Sequence, residues 1–495
     1  MAQFRRGIFY FFLSIYLKEY LNISNTEMTL FATLPMIANI ASQSGLWGRI
    51  SDKYQKRRLL IVFGEVYAAI GYLVVYWIHK GYETGGALRA AAFTIIIGFT
   101  IIEAGWSSSN LGWTALIADL TRDSERSRVM GLLQFVGGTG NVLGVTACGF
   151  LYKDGMGFAG GNLFFISSGI MIFSVAALFL IPESYADLEK SGNEELVEIV
   201  KEQREMRINT NGDSKSLKWD WKLFVWLLVI LAVINVGGNS IGQLLNIHVR
   251  LPDTFNASDM VVAQLRNTAN ISMIIAGLVI GFLTSKFGDE KMLLVGFILA
   301  FVGTMLLPFA PHIVFIFIYM SFRGFTRVWV NTTAYSMVNR VVPLEVRGKM
   351  MGYYNATFYL SWGLGGTILT GPIADAIVGS NLTIIMTYTV LGILVAGLWI
   401  FLMVEKISGL RTNKKLFIGS AVGWACLLVL ISGFAANPIT SYIINYGSSD
   451  SYSYKVTFLI AAILVLIGTL TYILYRPKNY DSLILDRNNM KTSVA

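Results

Sequence analysis

The sequence predicts an all-α membrane protein. Three observations carry that reading: composition, the spacing of apolar runs, and the placement of basic residues. The chain is 54% hydrophobic and only 14% charged, with a mean hydropathy of +0.58. A soluble domain carries about 25% charged residues, so a soluble protein of 495 residues is excluded. A helix crossing a bilayer needs roughly 20 apolar residues, and thirteen or fourteen such segments can be placed. No cleavable leader is evident ahead of the first.

Taken in order, the expected spans are about Gly7–Leu21, Met28–Trp47, Leu59–His79, Ala90–Leu120, Val129–Tyr152 and Asn162–Ile181. The first is short, and Arg5 and Arg6 precede it closely. Residues 183–222 break the pattern. They are polar and charged, with one short amphipathic stretch, and read as a linker. Then follow Leu223–Val249, Val261–Leu283, Met292–Phe309, Ile313–Val338, Met350–Val378 and Leu382–Val404. Two further spans, Leu416–Phe434 and Val456–Tyr475, precede a polar tail. The expected domains are therefore 1–182, a linker 183–222, 223–405, and an appended pair with tail, 406–495.

Charge placement tests this topology. Of the 39 Lys and Arg, seven fall on the outer side if the N-terminus is cytoplasmic. Arg323 and Arg327 lie inside a span, and the rest are on the inner side. The excess obeys the positive-inside rule and places both termini in the cytoplasm. The net charge of +9 is thus explained by topology, and nucleic acid is not needed. Cys148 and Cys426 lie inside apolar segments and read as small core residues. His79, His248 and His312 are far apart, which gives a metal site little support. No cofactor is expected. There is no P-loop and no nucleophile with a suitable base, so an enzyme is excluded.

An internal repeat organises the chain. Gly48–Leu60 reads GRISDKYQKRRLL, and a relative, GFLTSKFGDEKML, returns at Gly281–Leu293, 233 positions later. A second pair, Arg126–Gly131 and Arg347–Gly352, is offset by 221. Each pair occupies corresponding loops of two six-span halves. Transporters are commonly built from such repeats, with the substrate site between them.

On these residues the chain resembles the major facilitator superfamily over about residues 1–405. Its loop signature, G-x-L-x-D-x-x-G-x-[RK]-[RK], is matched by Gly48, Asp52, Arg57 and Arg58. Ile50 stands for the Leu and Gln55 for the second Gly. The copy keeps Gly281, Leu283 and Gly288, with Lys286 among its basic residues, and has Ser285 where the Asp belongs. The resemblance implies two pseudo-symmetric six-helix bundles; the two extra C-terminal transmembrane helices expected from the apolar runs exceed the family's usual twelve. It also implies that Asp52 and Arg57 make charged cytoplasmic contacts that stabilise the outward-open state, with Asp119 as partner. The family's antiporter signature fits Val136–Val145 poorly, since Asn141 replaces its Pro and Val145 its last Gly. Close helix packing through small residues is the preferred reading there.

An ionisable group within a span is costly and marks function by default. Glu65, Glu103, Arg323 and Arg327 qualify. Arg323 and Arg327 share a helix face, and the 221-residue offset sets Glu103 beside Arg323 in the repeat. By resemblance, spans four and ten border the central cavity, where a charge pair or an arginine clamp on an anion could form. Glu65, nearer the cytoplasmic end of a peripheral span, reads equally well as the partner of a loop cation. Asn235, Asn239, Gln243 and Asn246 form one polar face of span seven. Asn39, Gln43, Gln134, Asn141, Asn267, Asn270, Tyr353, Tyr354, Asn355 and Tyr359 are further polar positions that could line a cavity or simply join helices. Asn331 and Tyr359 complete the candidate site.

The expected function is a monomeric secondary active transporter in the plasma membrane, working by alternating access. It would take a small polar or anionic solute, with protons carried by Glu103 in symport. The alternatives are an efflux antiporter for drugs or metabolites and, from another class, a non-transporting membrane receptor or scaffold. The last would be expected to carry a signalling segment longer than the linker.

Overall fold

The protein was analysed as a computed structural model, which describes residues 1–54, 56–120, 123–178, 221–342, 347–378 and 450–474. These are helical throughout, apart from short turns. Seven of the described helices are long and apolar enough to cross a bilayer.

The described residues fall into two compact units. The first contains α1 (Ala2–Ile15, continued by a π-helical turn Tyr16–Tyr20), α2 (Asn25–Ser42), α3 (Arg57–Thr84), α4 (Leu88–Leu120), α5 (Asp123–Leu151) and α6 (Asn162–Leu178). The second contains α7 (Trp221–His248), α9 (Asp289–Leu306), α10 (Ile313–Val341), α11 (Arg347–Leu364, continued through a π-helical turn to Val378) and α12 (Asp450–Leu474). The helix α8 (Asp259–Phe287) contributes its first part to the first unit and the remainder to the second.

Local sequence explains several boundaries. Ser24 caps α2 in a reciprocal box: its hydroxyl accepts from the Glu27 N–H at 3.2 Å, and the Glu27 carboxylate accepts from the Ser24 N–H at 3.0 Å. The loop expected over Lys80–Arg89 is shorter than the sequence suggests. Lys80 pairs with Glu83 at 2.6 Å, Glu83 also accepts from Tyr20 at 3.0 Å, and α3 runs on to Thr84. Gly86, at φ +76°, then turns the chain in the left-handed region that favours glycine. The first span also starts earlier than expected. Because α1 begins at Ala2, Arg5 lies inside the helix and is buried instead of flanking a span.

Glycine sets the crossing of α1 and α5. A methyl group on Gly144 would stand 2.1 Å from the Phe4 carbonyl oxygen, and one on Gly7 would stand 2.5 Å from that of Asn141. The small-residue stripe of α5 therefore packs helices, as its poor fit to the antiporter signature suggests. Around the crossing, Phe9 meets the rings of Tyr72, Phe99, Phe158 and Phe164, with centroids 4.7–5.1 Å away. Cys148 is fully buried in α5.

The two units repeat one packing scheme. In the first, α1 lies along α5, α3 along α4, and α6 along both α3 and α1. In the second, α7 lies along α11, α9 along α10, and the last helix, α12, along both α9 and α7. On this scheme α12 stands where α6 stands. Trp226 stacks on Tyr472 at 5.3 Å, Phe297 meets the same ring edge-on at 5.3 Å, and Ile234 lies against Gly468. Of the two spans expected beyond the second half, the later one is therefore integrated into the second unit. The expected spans Leu382–Val404 and Leu416–Phe434, the linker 183–222 and Cys426 lie outside the described residues.

Candidate functional site

In the first unit, Glu103 sits on α4 and is held from two sides. Tyr10 on α1 donates its hydroxyl to Oε1 at 2.8 Å, and Asn39 on α2 donates Nδ2 to Oε2 at 2.9 Å. Both carboxylate oxygens thus accept hydrogen bonds. The expectation for Asn39 as a site residue acquires a partner here.

The sequence reading treated Arg5 as a flanking charge. It is 2% exposed. Its Nη1 donates to the Tyr72 hydroxyl at 2.9 Å, and its guanidinium lies over the Trp106 ring, 5.0 Å from the centroid. Its Nε is buried without a hydrogen-bond partner. The only sequence signal was an arginine close to an unusually short apolar run.

Glu65 is 4% exposed. Its Oε1 accepts from Trp106 Nε1 at 2.9 Å and Ser109 Oγ at 2.7 Å. Its neighbours are thus on α4, and a loop cation is not among its hydrogen-bond partners. The polar run Ser107–Ser109 is fully buried and faces α3: Ser108 donates to the Leu60 carbonyl at 3.1 Å, and Gly64 admits the serines closely. Three of the amide positions join helices. Asn270 donates to Asn141 Oδ1 at 2.8 Å, and Asn267 donates to Thr146 Oγ1 at 2.7 Å. An apolar groove of about 700 Å³ lies elsewhere on this unit, lined by Phe4, Phe135, Val136, Leu143 and Phe173.

In the second unit, Arg323 of α10 lies against α7. Its Nη2 donates to the Gly238 carbonyl at 3.3 Å and would stand only 2.9 Å from a methyl group on Gly242, so glycine makes room for the guanidinium. Neither α7 nor α10 carries an acidic residue. On the same helix, Asn239 Nδ2 and Gln243 Oε1 are buried with no hydrogen-bond partner, and Asn235 is half-buried. Arg327 sits 5.5 Å from the Phe358 ring centroid. The Asn331 main-chain carbonyl accepts from the Tyr354 hydroxyl at 3.1 Å. A half-buried cation packed on a helix that also carries amide atoms without partners can take a carboxylate, phosphate or other anionic group.

The loop signature is only partly visible. Arg57 is buried at the first turn of α3 and donates Nη1 to the Ser51 carbonyl at 2.5 Å and to the Ser51 hydroxyl. Gly48 lies near the Gln43 carbonyl, and Arg58 is half-buried. The side chains of Asp52, Asp119, Gln134, Ser285 and Tyr359 lie outside the described residues. In the second copy Gly281 has open space around it, Lys286 is exposed beside Phe287, and Gly288 adopts φ +84°. The next residue, Asp289, is buried and accepts from Ser336 Oγ at 2.6 Å. Sequence reading did not select it, because it falls just outside the signature positions.

A multi-pass helical membrane protein with buried ionisable residues in each of two similarly packed units belongs to the class of membrane transporters. The Major Facilitator Superfamily model matches residues 1–366, and the chain belongs to that family. It is a secondary transporter and not an enzyme. The "Multi-drug resistance efflux pump PmrA homolog" of Lactococcus lactis subsp. lactis (strain IL1403) is 20% identical over 386 residues, 76% of this chain and 87% of the relative. "Multidrug resistance protein 2" of Bacillus subtilis (strain 168) is 27% identical over 217 residues, 42% of this chain and 50% of that protein. Among solved structures, a bacterial homolog of the human lysosomal transporter Spinster, inward-facing and occupied, aligns with a TM-score of 0.60 at 13% identity, covering 96% of this chain and 93% of that one. The nucleoside transporter NupG aligns at 0.59 and 12% identity, with 95% of each chain covered. These likenesses show the fold.

Proposed function

We propose that the protein exports organic solutes by proton antiport across the plasma membrane, as a monomer with both termini in the cytoplasm. The observation that carries this reading is the match along 87% of a relative named as a multi-drug resistance efflux pump. It moves the preference from uptake by symport to export. Within the mechanism, Glu103 carries the proton. Its carboxylate is half-buried and hydrogen-bonded at both oxygens, and an ion gradient is the energy source that this reading assigns.

A second reading, transport of a small anionic solute, is favoured by Arg323, which lies beside Gly238 on the helix that also carries the buried amide atoms of Asn239 and Gln243, without an acidic residue on its own helix or that one. Proteoliposomes separate the two. Ethidium and a panel of anionic metabolites are offered with and without an imposed pH gradient. Gradient-driven ethidium movement, lost in Glu103→Gln, is the expected result. Flux of anionic metabolites alone, abolished by Arg323→Ala, would replace the first reading with the second. Flux that ignores the gradient and survives Glu103→Gln would remove the proton assignment.

A further inference from the structure

Within the first unit, the early part of α8 meets α5 along a ladder. At the end that charge placement sets outside, the Asp259 carboxylate accepts from the Asp154 N–H at 3.1 Å. Next, a methyl group on Gly149 would stand 2.8 Å from that of Ala263. Asn267 then donates to Thr146 Oγ1 at 2.7 Å, and Asn270 to Asn141 Oδ1 at 2.8 Å. The last rung sets Ile274 against Gly138. Positions 259, 263, 267, 270 and 274 share one helix face. Asn141 stands where the antiporter signature has Pro. Its Nδ2 also donates to the Gln3 carbonyl at 3.3 Å, so it joins α1, α5 and α8.

Three features separate this ladder from permanent packing. Among the described residues, its contact is much sparser than that of α1 with α5. Its rungs are largely polar, and one is incomplete: Asn267 Oδ1 is buried with no hydrogen-bond partner. An orphaned acceptor costs free energy that water would return if the helices parted, and the completed bonds would be exchanged for bonds to water at small net cost. Finally, the ladder stops at Ile274, where α8 passes to the second unit. Beyond it Leu278 is 80% exposed, and Gly277 and Gly281 have open space around them.

We propose that the ladder is a reversible latch, made while the outer side is shut and parted when the protein opens outward. The inference rests on the transport reading above, because a latch needs a protein that alternates between two states. It assigns Asp259, Asn267 and Asn270 on α8, with Thr146 and Asn141 on α5, to the conformational change and not to the solute.

The first test reads the latch without any solute. Cys148→Ala and Cys426→Ala remove the native thiols, and Ala263→Cys adds one at a fully buried rung. Right-side-out vesicles are treated with a membrane-impermeant maleimide. Asn256→Cys, in the exposed loop before α8, controls for sidedness. The thiol at 263 is expected to label slowly, and adding Asn270→Ala should speed labelling about fivefold, the equivalent of one net hydrogen bond. No labelling at 263 in either protein, with the control labelled, would overturn the latch. A control labelled only after permeabilisation would place the ladder on the inner side and overturn it equally.

The second test is a lock. Thr146→Cys with Asn267→Cys, in the same thiol-free background, permits a cross-link across one rung. Oxidation should stop ethidium flux in proteoliposomes, and reduction should restore it. Undiminished flux in the cross-linked protein counts against the latch, and this arm decides if Ala263→Cys does not fold. Failure of the export reading looks different: the thiol at 263 labels as expected, but the reduced protein moves no ethidium under a pH gradient.

Discussion

The two units share a packing scheme but not an electrostatic one. In the first, charged groups of both signs are held by side chains: Arg5 bonds to Tyr72 and lies over Trp106, Glu65 accepts from Trp106 and Ser109, and Glu103 accepts from Tyr10 and Asn39. In the second, Arg323 rests on the backbone of α7, and two amide atoms on that helix have no partner. Both arrangements leave some hydrogen-bonding capacity unused, at Arg5 Nε in the first and at Asn239 Nδ2 and Gln243 Oε1 in the second, but only the first also holds carboxylates in side-chain hydrogen bonds. Pseudo-symmetry in packing therefore leaves room for division of labour between halves, because the helix contacts depend on small and apolar residues while the charges sit at positions the packing leaves free.

The loop copies differ in the same way. At the start of α3 the buried group is a cation, Arg57, held by Ser51. At the start of α9 it is an anion, Asp289, held by Ser336. An acidic side chain at a helix N-terminus gains from the helix dipole, whereas a cation there loses. The first copy therefore needs an added acceptor to keep its arginine, and the Ser51 carbonyl supplies one.

Three substitutions sharpen these contrasts. The largest effect is expected for Tyr472→Ala. If α12 is integral to the second unit, removing a ring that meets both Trp226 and Phe297 should cost about 3 kcal/mol, read as a clear drop in thermal unfolding temperature in detergent. A change of only a few tenths would instead make α12 an appendage. Next is Ser336→Ala, which deletes a bond to a buried carboxylate and should cost about 1.5–3 kcal/mol, measured in the same way. The smallest effect is expected for Ser51→Ala. Arg57 keeps the Ser51 carbonyl, so the loss should be about 1 kcal/mol or less. Equal losses for the two serines would contradict the contrast between the loop copies.

Much of the fold was legible in the sequence because it rests on long apolar runs and on a repeat that survives in short motifs. The spans of α2 to α6 and α7 to α11 were located within a few residues, and the boundary errors had local causes: the Lys80–Glu83–Tyr20 contacts prolonged α3, and α1 began ahead of Arg5. Of the candidate site, Glu103, Arg323, Asn239 and Gln243 were visible because an ionisable residue or a polar face within an apolar run stands out. Arg5, Tyr10, Tyr72 and Asp289 were not. A tyrosine in an apolar helix looks like any other aromatic residue until its hydroxyl has a partner, and an arginine five residues from the first methionine looks topogenic.

The sequence by itself determined the class of solvent, the helical architecture, the two-half repeat and the identity of the groups that must be compensated in lipid. Those follow from hydropathy and charge counted along one dimension. The tertiary structure decided which groups compensate which. It brought residue 5 within reach of residues 72 and 106, and set residue 472 against 226 and 297. Such pairings depend on helix crossings fixed by close contacts such as Gly144 on Phe4, and no spacing along the chain encodes them.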